Sequence, residues 1–336
     1  MFLFCFLFFY LILKPAYLYR SGLKEALYRD EGVLWNDTSN LSRDQQAVFG
    51  IRANPFIHVQ VDPTAFFVLP CPFAMSSPFL DIRGDTIPLE QVLGSGGTAV
   101  VLLRDGVAVK TPLRYLWSSD SDVEVNIETI RREQDVYRRL QSSEDDRSDG
   151  VVRCLGFSTE ATQLAYMANG DLQTYLAKCR PSYQLQLAWF RETVRTLGYI
   201  HDRCVLVADI ASRNFLLDSD LSLKFCDFSE SSLLQLDANM DAVDDNGYTA
   251  RIDIGLLGTV MYEVVTGNKC EIDLFKDNSP TDGRAYWPDR KFLPSTQDIW
   301  LGWIIEGCWD GEFRDTRSLL RTLDSVDVRL HTPLIS

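Results

Sequence analysis

Residues 207–217 read Val207-Ala208-Asp209-Ile210-Ala211-Ser212-Arg213-Asn214-Phe215-Leu216-Leu217 and are followed shortly by Phe225-Cys226-Asp227-Phe228. This stretch places Asp209, Asn214 and Asp227 on either side of one short predicted hairpin. The neighbouring Phe and Leu residues need burial, and polar groups buried beside them are costly unless they have partners or a ligand. Oxygen donors of this kind suit a hard cation such as Mg²⁺, and a carboxylate here can deprotonate a hydroxyl group. The alternative is that these residues only form the turn of the hairpin.

Two features upstream of this stretch indicate a phosphate-bearing ligand. Gly94-Ser95-Gly96-Gly97-Thr98-Ala99-Val100-Val101 joins two predicted strands, where small residues let backbone N–H groups approach phosphate oxygens. It leads from strand to strand, which argues against a dinucleotide-binding turn and leaves an ordinary hairpin as the alternative. Lys110 ends the alternating strand 107–110, where its ammonium group can contact phosphates. Glu133, on the helix that follows, is either its partner or a solvent-exposed charge.

The order of the predicted elements indicates two lobes. From Thr86 the sequence predicts a small sheet with one helix, with strands at 87–93, 99–103, 107–110, 151–157 and 163–167 and the helix at 126–140. After the Asn169-Gly170 break, helices dominate, with apolar periodicity strongest at 183–201 and 252–266. We therefore predict an α+β fold with a β-rich N-lobe, a larger helical C-lobe and a ligand-binding cleft between them.

The composition narrows the possible function classes. The 336 residues are 46% hydrophobic and 12% aromatic, and the formal net charge of −14 gives a pI of about 4.7. We expect no nucleic-acid partner, because this negative charge opposes binding to a phosphate backbone. The eight cysteines form no CxxC pair, which predicts reduced, mostly buried thiols rather than a zinc site or a disulfide framework.

The N-terminal residues raise the question of a membrane. Residues 1–20 form a hydrophobic segment, and its Phe/Leu run at 1–13 is stopped by Lys14 and Pro15, short of the ~20 residues that span a bilayer. The run also lacks the basic residues of a signal peptide. We expect a cytoplasmic chain, with membrane association through residues 1–13 as an open alternative. Residues 21–85 form an extension interrupted by prolines, and the sequence assigns it no role.

The ordered series of glycine-rich loop, Val107-Ala108-Val109-Lys110, helix glutamate, Asp-x-x-x-x-Asn and Asp-Phe resembles the catalytic core of protein kinases. The resemblance implies a kinase N-lobe at 86–169 and a C-lobe at 170–328. It also implies that the chain transfers the γ-phosphoryl group of ATP to a hydroxyl group of a protein substrate, with Mg²⁺ as cofactor. Ser/Thr specificity is the first choice, because it is the commoner state of the superfamily.

The resemblance implies a role for each matching residue. Asp209 is the expected catalytic base, Lys110 and Arg213 complete the catalytic set, and Asn214 and Asp227 are the expected magnesium ligands. The nucleotide-binding residues that it implies are Gly94, Ser95, Gly96, Gly97, Val101, Ala108, Lys110, Glu133, Ala165, Met167, Asp171 and Leu216. In this comparison Leu164 takes the gatekeeper place, and 165–167 offer backbone hydrogen bonds to adenine.

Several departures from the kinase pattern bear on function. Val207-Ala208-Asp209 replaces H-R-D, so the arginine that reads activation-loop phosphate is missing, and Ser229 replaces the glycine of D-F-G. The segment between Asp227 and Asp253 is short and contains no A-P-E, although Asp253 itself matches a residue expected to brace the catalytic loop. Arg213 resembles a loop residue of tyrosine kinases, which leaves the hydroxyl specificity open. Two alternatives remain: a pseudokinase acting as a nucleotide-binding or scaffolding module, and a small-molecule kinase of the aminoglycoside or choline type.

Overall fold

The structure is a computed structural model that describes residues 77–141, 146–240, 242–276 and 283–328. The run at 1–13 and nearly all of the extension at 21–85 lie outside these residues, so what the sequence predicts for them stays a prediction. Among the helices in the described ranges, none combines the length and apolar character that crossing a bilayer requires.

The N-lobe is built on a five-stranded antiparallel sheet. Its strands are β1 Val92–Ser95, β2 Ala99–Arg104, β3 Val107–Pro112, β4 Cys154–Phe157 and β5 Thr162–Ala165, in the order β1-β2-β3-β5-β4. Asp105 and Gly106 form the predicted turn between β2 and β3, both with left-handed backbone at φ 50° and 78°. Helix α1, Asp120–Leu140, packs against β3. This packing places Lys110 of β3 beside Glu133 of the helix.

Several N-lobe boundaries differ from the sequence prediction. The strands predicted at 151–157 and 163–167 are observed at Cys154–Phe157 and Thr162–Ala165, and β3 continues past Lys110 to Pro112. Helix α1 begins six residues before the predicted start at 126 because Ser119 caps it: its hydroxyl accepts the Asp122 amide, and Asp122 accepts the Ser119 amide, each at 3.2 Å. The first predicted strand, 87–93, is instead a short 3₁₀ turn over Leu89–Gln91 followed by β1. Leu89 and Leu93 are both exposed, so the apolar alternation there did not reflect burial.

The C-lobe is mainly helical, as the sequence predicted. Its helices are α2 Leu172–Lys178, α3 Tyr183–His201, α4 Ala250–Thr266, α5 Gly302–Trp309 and α6 Thr316–Asp324. Short strand pairs lie between α3 and α4, with β6 Val205–Leu206 pairing with β9 Ser232–Leu233 and β7 Phe215–Leu217 pairing with β8 Leu223–Phe225. Strand β8 begins only at Leu223 because Leu221 adopts φ 66°, which an extended strand excludes.

One hydrophobic core continues from the N-lobe helix into the C-lobe. It joins Tyr137 and Leu140 of α1 to residues of α3, α4, β7 and β8. The six cysteines of the described residues are unpaired, and three of them, at 204, 270 and 308, are buried while Cys179 is exposed. The core therefore fixes the position of α1 relative to the hairpin that carries the candidate site residues.

Candidate active site

Lys110 lies at the centre of a buried charge cluster. Its ammonium nitrogen is 2.8 Å from Oε1 of Glu133 and 2.9 Å from Oδ1 of Asp227. Glu133 is fully buried on α1, and Lys110, which is 5% exposed, lies within β3, two residues before the strand ends at Pro112. The structure thus brings Lys110 into contact with Glu133, which is 23 residues away along the chain, and with Asp227, which is 117 residues away.

The charges in this cluster stabilise one another. Burial alone would lower the pKa of the Lys110 ammonium, but the carboxylates of Glu133 and Asp227 outweigh burial, and the pKa is raised. Burial would likewise raise the pKa of Asp227, yet the adjacent Lys110 ammonium and the Ser229 amide lower it to about 2. Lys110 and Asp227 are therefore both charged at neutral pH, as a site for phosphate and metal requires.

The residues around Asp227 are held by α1. The Phe228 amide donates to Oε1 of Glu133 at 3.0 Å, and the Phe228 ring meets Tyr137 edge to face with centroids 5.2 Å apart. Asp227 itself has left-handed backbone at φ 62°, whereas Ser229 is not among the described residues with positive φ. Serine in place of glycine at position 229 therefore causes no backbone strain in this arrangement.

Asp209 is oriented by two neighbours on the same loop. Arg213 donates from Nη2 to both carboxylate oxygens of Asp209, at 2.5 and 2.8 Å, and Asn214 donates from Nδ2 to Oδ2 at 3.0 Å and to the Asp209 carbonyl at 2.8 Å. The Asp209 side chain keeps 29% of its surface exposed. A carboxylate that is fixed in orientation and still accessible has the geometry of a general base.

Asp253 holds the loop that leads to Asp209 through hydrogen bonds, in line with the sequence prediction that it braces the catalytic loop. Its carboxylate accepts the amides of Val207 and Ala208, both at 2.9 Å, and Nε2 of His201 at 2.9 Å. Ala208 has left-handed backbone at φ 67°, a conformation that costs an alanine about 1–2 kcal/mol. The fully buried Asp253 holds that conformation. His201 was missed from the sequence, and its only signal was a histidine at the end of an apolar helix.

The glycine-rich loop closes as a hairpin turn between β1 and β2. The Gly96 amide donates to the Ala99 carbonyl at 2.8 Å. A Cβ atom built on Gly94 or on Gly96 would meet no other atom within 4 Å. These two glycines are therefore not required by close packing of the protein against itself, and open space remains where a phosphate chain would lie. Ser95 ends β1 beside them.

The predicted adenine-binding residues lie on adjoining strands. Ala108 of β3 pairs with Leu164 of β5, and both are buried. The Ala165 amide donates to the Arg153 carbonyl at 2.9 Å, and the Met167 carbonyl accepts the Gly170 amide at 3.2 Å. These two backbone groups are thus engaged within the protein, which narrows the set expected to bind adenine.

Three further predicted ligand-binding residues also have roles in the fold. Val101 pairs with Lys110 across β2 and β3, and Leu216 forms a bridge with Asp171. The Asp171 carboxylate caps α2 by accepting the Thr174 amide and hydroxyl, both at 2.8 Å. Asp171 therefore links the strand that carries Leu216 to the start of α2.

The oxygen atoms of the site suit Mg²⁺ and a phosphate chain. Lys110 and the Ser229 amide both contact Oδ1 of Asp227, and the side chain is 39% exposed, so Oδ2 can serve a ligand. Asn214 donates from its amide nitrogen to Asp209, so its amide oxygen is the atom that could bind Mg²⁺. Within the described ranges, no group of three or more His, Cys, Asp or Glu side chains could hold a metal. Mg²⁺ needs no such cage, since one or two protein oxygens and substrate phosphates commonly bind it.

A family model of the protein kinase domain matches residues 88–278, which is more than half of the chain. The chain belongs to the protein kinase family. Mouse cytoplasmic tyrosine-protein kinase BMX is 24% identical over 264 residues, covering 72% of this chain and 39% of that protein. The rice G-type lectin S-receptor-like serine/threonine-protein kinase LECRK1 is 26% identical over 258 residues, covering 68% and 30%. Arabidopsis serine/threonine/tyrosine-protein kinase HT1 is 26% identical over 194 residues, covering 51% and 49%.

The family match confirms the resemblance to kinases and the two-lobed fold. This kinase chain spans less than half the length of each of the three relatives. Their names include tyrosine, serine/threonine and dual kinases, so the hydroxyl specificity does not follow from them. The family match covers the glycine-rich loop, Lys110, Glu133, Asp209 and Asp227, all of which occupy the site described above.

Proposed function

We propose that this chain is an active protein kinase, which transfers the γ-phosphoryl group of Mg-ATP to a protein hydroxyl group. The observation that carries the proposal is the contact of Lys110 with both Glu133 and Asp227 at 2.8 and 2.9 Å. A buried ammonium between two carboxylates needs close pairing to be stable. This pairing supports the proposal because it holds the Lys110 ammonium, which would contact phosphate, beside the Asp227 carboxylate, which would bind the metal.

The proposed chemistry is positioning and charge neutralisation. Mg²⁺, when bound, would supply positive charge that offsets the charge of the phosphates. Asp227 and Asn214 would hold it, and Lys110 would contact the α- and β-phosphates. Asp209 would align the substrate hydroxyl and accept its proton while the new oxygen–phosphorus bond forms and ADP leaves. Arg213 would keep the Asp209 carboxylate in that orientation.

We further propose Ser or Thr as the acceptor, the commoner choice within the superfamily. A specific observation favours tyrosine as the second candidate. Arg213 contacts both carboxylate oxygens of Asp209, and its position resembles the loop of tyrosine kinases. Phosphoamino acid analysis of labelled products separates the two, since phosphotyrosine as the main product would overturn the Ser/Thr assignment.

The test of the activity uses the full chain, radiolabelled Mg-ATP and a generic protein acceptor. Asp209→Asn should lower kcat by about 10²–10⁴, the usual contribution of a general base, and Lys110→Met should abolish labelling. Asp105→Asn is a matched control, because Asp105 lies in a hairpin turn whose left-handed backbone asparagine also adopts. Activity that persists in Asp209→Asn would remove Asp209 from the proposed role.

The pseudokinase alternative predicts a different result. If the chain binds nucleotide, Mg-ATP should raise the Tm of the wild-type chain, and this thermal shift should be absent in Lys110→Met. The exposed Lys178 provides the matched control, and Lys178→Met should keep the shift. Nucleotide binding without labelling of any acceptor would favour a nucleotide-binding scaffold over a catalyst.

A further inference from the structure

The segment from Ser229 to Thr249, here called the activation segment, contains no Lys or Arg. It carries Glu230, Asp237, Asp241, Asp244 and Asp245. The preceding loop has Ala208 where related kinases have an arginine. A phosphate attached to this segment would therefore meet like charges from the segment itself, and like charges in proximity are unfavourable.

The two ends of the activation segment are joined by one carboxylate. Asp244 accepts the hydroxyl of Ser232, which lies on β9 at the start of the segment. The other oxygen of Asp244 accepts the amides of Asn246 and Tyr248, at 2.9 and 2.7 Å. Asp244 thus organises the turn at the end of the segment while it holds the beginning.

The beginning of the segment is also fixed to α1 and to the catalytic loop. Strand β9 pairs with β6, Val205–Leu206, just before Asp209. Ser231 donates from its hydroxyl to the Val207 carbonyl at 3.1 Å. Arg139 of α1 donates to the Leu234 carbonyl at 2.5 Å. The position of β9 is therefore coupled to the helix that carries Glu133.

The end of the segment is fixed to the C-lobe. The Ala285 amide donates to the Asn246 carbonyl at 2.7 Å. Gly247 has φ 93°, and a Cβ atom there would come within 2.5 Å of the Ala285 backbone. Only glycine permits this close approach, so the turn that Asp244 organises is seated against 283–287.

We propose that the Ser232–Asp244 hydrogen bond holds the activation segment in its catalytic arrangement in place of a phosphate, with Asp244 as the positioning residue. The proposal rests on the kinase function proposed above for its kinetic consequences, but not for the contact itself. The hydrogen bond closes a short exposed stretch that includes Leu236 and Val243, which are 74% and 59% exposed. Closing a short loop removes conformational freedom from the segment.

The proposal predicts that the chain works without phosphorylation of this segment and that a negative charge at Ser232 opens it. Asp244→Asn should behave as wild type, because the asparagine oxygen can accept the two amides and its NH₂ group can donate to the Ser232 hydroxyl. Asp244→Ala and Ser232→Ala should release the segment. Ser232→Asp should release it further, by placing two carboxylates in contact.

The first measurement is hydrogen exchange of backbone amides 233–240 in the full chain. Asp244→Ala and Ser232→Ala should raise the exchange rate about tenfold, while Asp245→Ala should leave it unchanged. Asp245 is the matched control, since it is the next residue, carries the same charge and is exposed. Equal exchange in Asp244→Ala and Asp245→Ala would overturn the proposal. Because this readout needs no activity, the contact is tested even if the chain fails to phosphorylate anything.

The second measurement is steady-state kinetics. Asp244→Ala should lower kcat about tenfold or more through misplacement of the segment, with KM for ATP unchanged within twofold, and Asp244→Asn should restore kcat. Treatment of the wild-type chain with a phosphatase should leave kcat unchanged. A chain that loses its activity on this treatment, and regains it when the segment is phosphorylated, would show that a phosphate is required and that the Ser232–Asp244 contact does not replace it.

Discussion

His201 donates from Nε2 to Oδ2 of Asp253 across 2.9 Å, and both side chains are buried. The same carboxylate accepts two backbone amides from the loop that precedes Asp209. Three donors therefore depend on one buried acceptor. This arrangement makes the stability of the C-lobe and the position of the candidate base depend on the same residue.

Replacing Asp253 should destabilise the chain strongly. Asp253→Ala leaves the amides of Val207 and Ala208 and the ring of His201 without an acceptor, and each buried unpaired group costs about 1–3 kcal/mol. We expect a loss of about 3–5 kcal/mol in the free energy of unfolding, measured by urea denaturation. Asp237→Ala, at an exposed carboxylate, should change it by less than about 0.5 kcal/mol. Similar values for the two variants would contradict the role assigned to Asp253.

Two glycines should respond to alanine in opposite ways. Gly96→Ala has open space and no positive φ, so the fold should tolerate it, whereas KM for ATP should rise severalfold as the methyl group meets the phosphates. Gly106→Ala forces alanine into φ 78° and should cost about 1–2 kcal/mol of stability without affecting ATP binding. Denaturation curves and ATP titrations of both variants test this pair. If Gly96→Ala binds ATP as the wild type does, the phosphates lie elsewhere.

Tyr137→Phe should stabilise the chain. The Tyr137 hydroxyl is buried and has no hydrogen-bond partner among the described residues, so its removal should recover about 1 kcal/mol while the ring contact with Phe228 remains. Tyr199→Phe is the matched comparison, because the Tyr199 hydroxyl donates to the Leu140 carbonyl. That variant should lose about 1 kcal/mol. Chemical denaturation gives both values, and a loss in Tyr137→Phe would reveal a partner for its hydroxyl.

The Lys110–Asp227 pair should leave a signature in acid. The pKa of Asp227 is lowered in the folded chain to about 2, from about 3.9 in an unfolded chain. The unfolded state therefore binds a proton first, so the stabilisation is present above about pH 4 and is lost as the pH falls towards 2. The stability difference between wild type and Asp227→Asn should shrink across this window. A difference that stays constant from pH 6 to pH 2.5 would mean that the pairing does not perturb Asp227.

The pair should also weaken in strong base. The pKa of Lys110 is raised above its usual value, so its contribution to stability is complete below about pH 10.4 and is lost progressively as the pH rises from there through the raised pKa. Between these two limits the contribution of the pair should not vary with pH.

Local signals were sufficient for several elements. Helix α3 has the bounds that its apolar residues predict by repeating at helical spacing, and the structure adds that Ser182 caps its start. The start of α1 was missed although Ser119 and Asp122 form a capping box, a signal four residues long that was available in the sequence. The false strand at 87–93 arose because exposed leucines mimicked a buried alternation.

The residues of the candidate site were identified by motif, but their contacts could not be read from the chain. No local pattern indicates that Lys110 meets Asp227 or that Arg139 reaches the Leu234 carbonyl. The bond between Ser232 and Asp244 is of the same kind. Such contacts depend on how separate elements pack, and packing is decided by the whole core rather than by neighbours in sequence.

Serine at position 229 has a consequence for small molecules that act on this chain. An alternative backbone state that needed a left-handed conformation there would lie about 1–2 kcal/mol higher than in a chain with glycine. Its population would fall by a factor of roughly 5–30. Inhibitors that select such a state would lose affinity by the same factor, whereas inhibitors shaped to the arrangement around Lys110 and Asp227 would not.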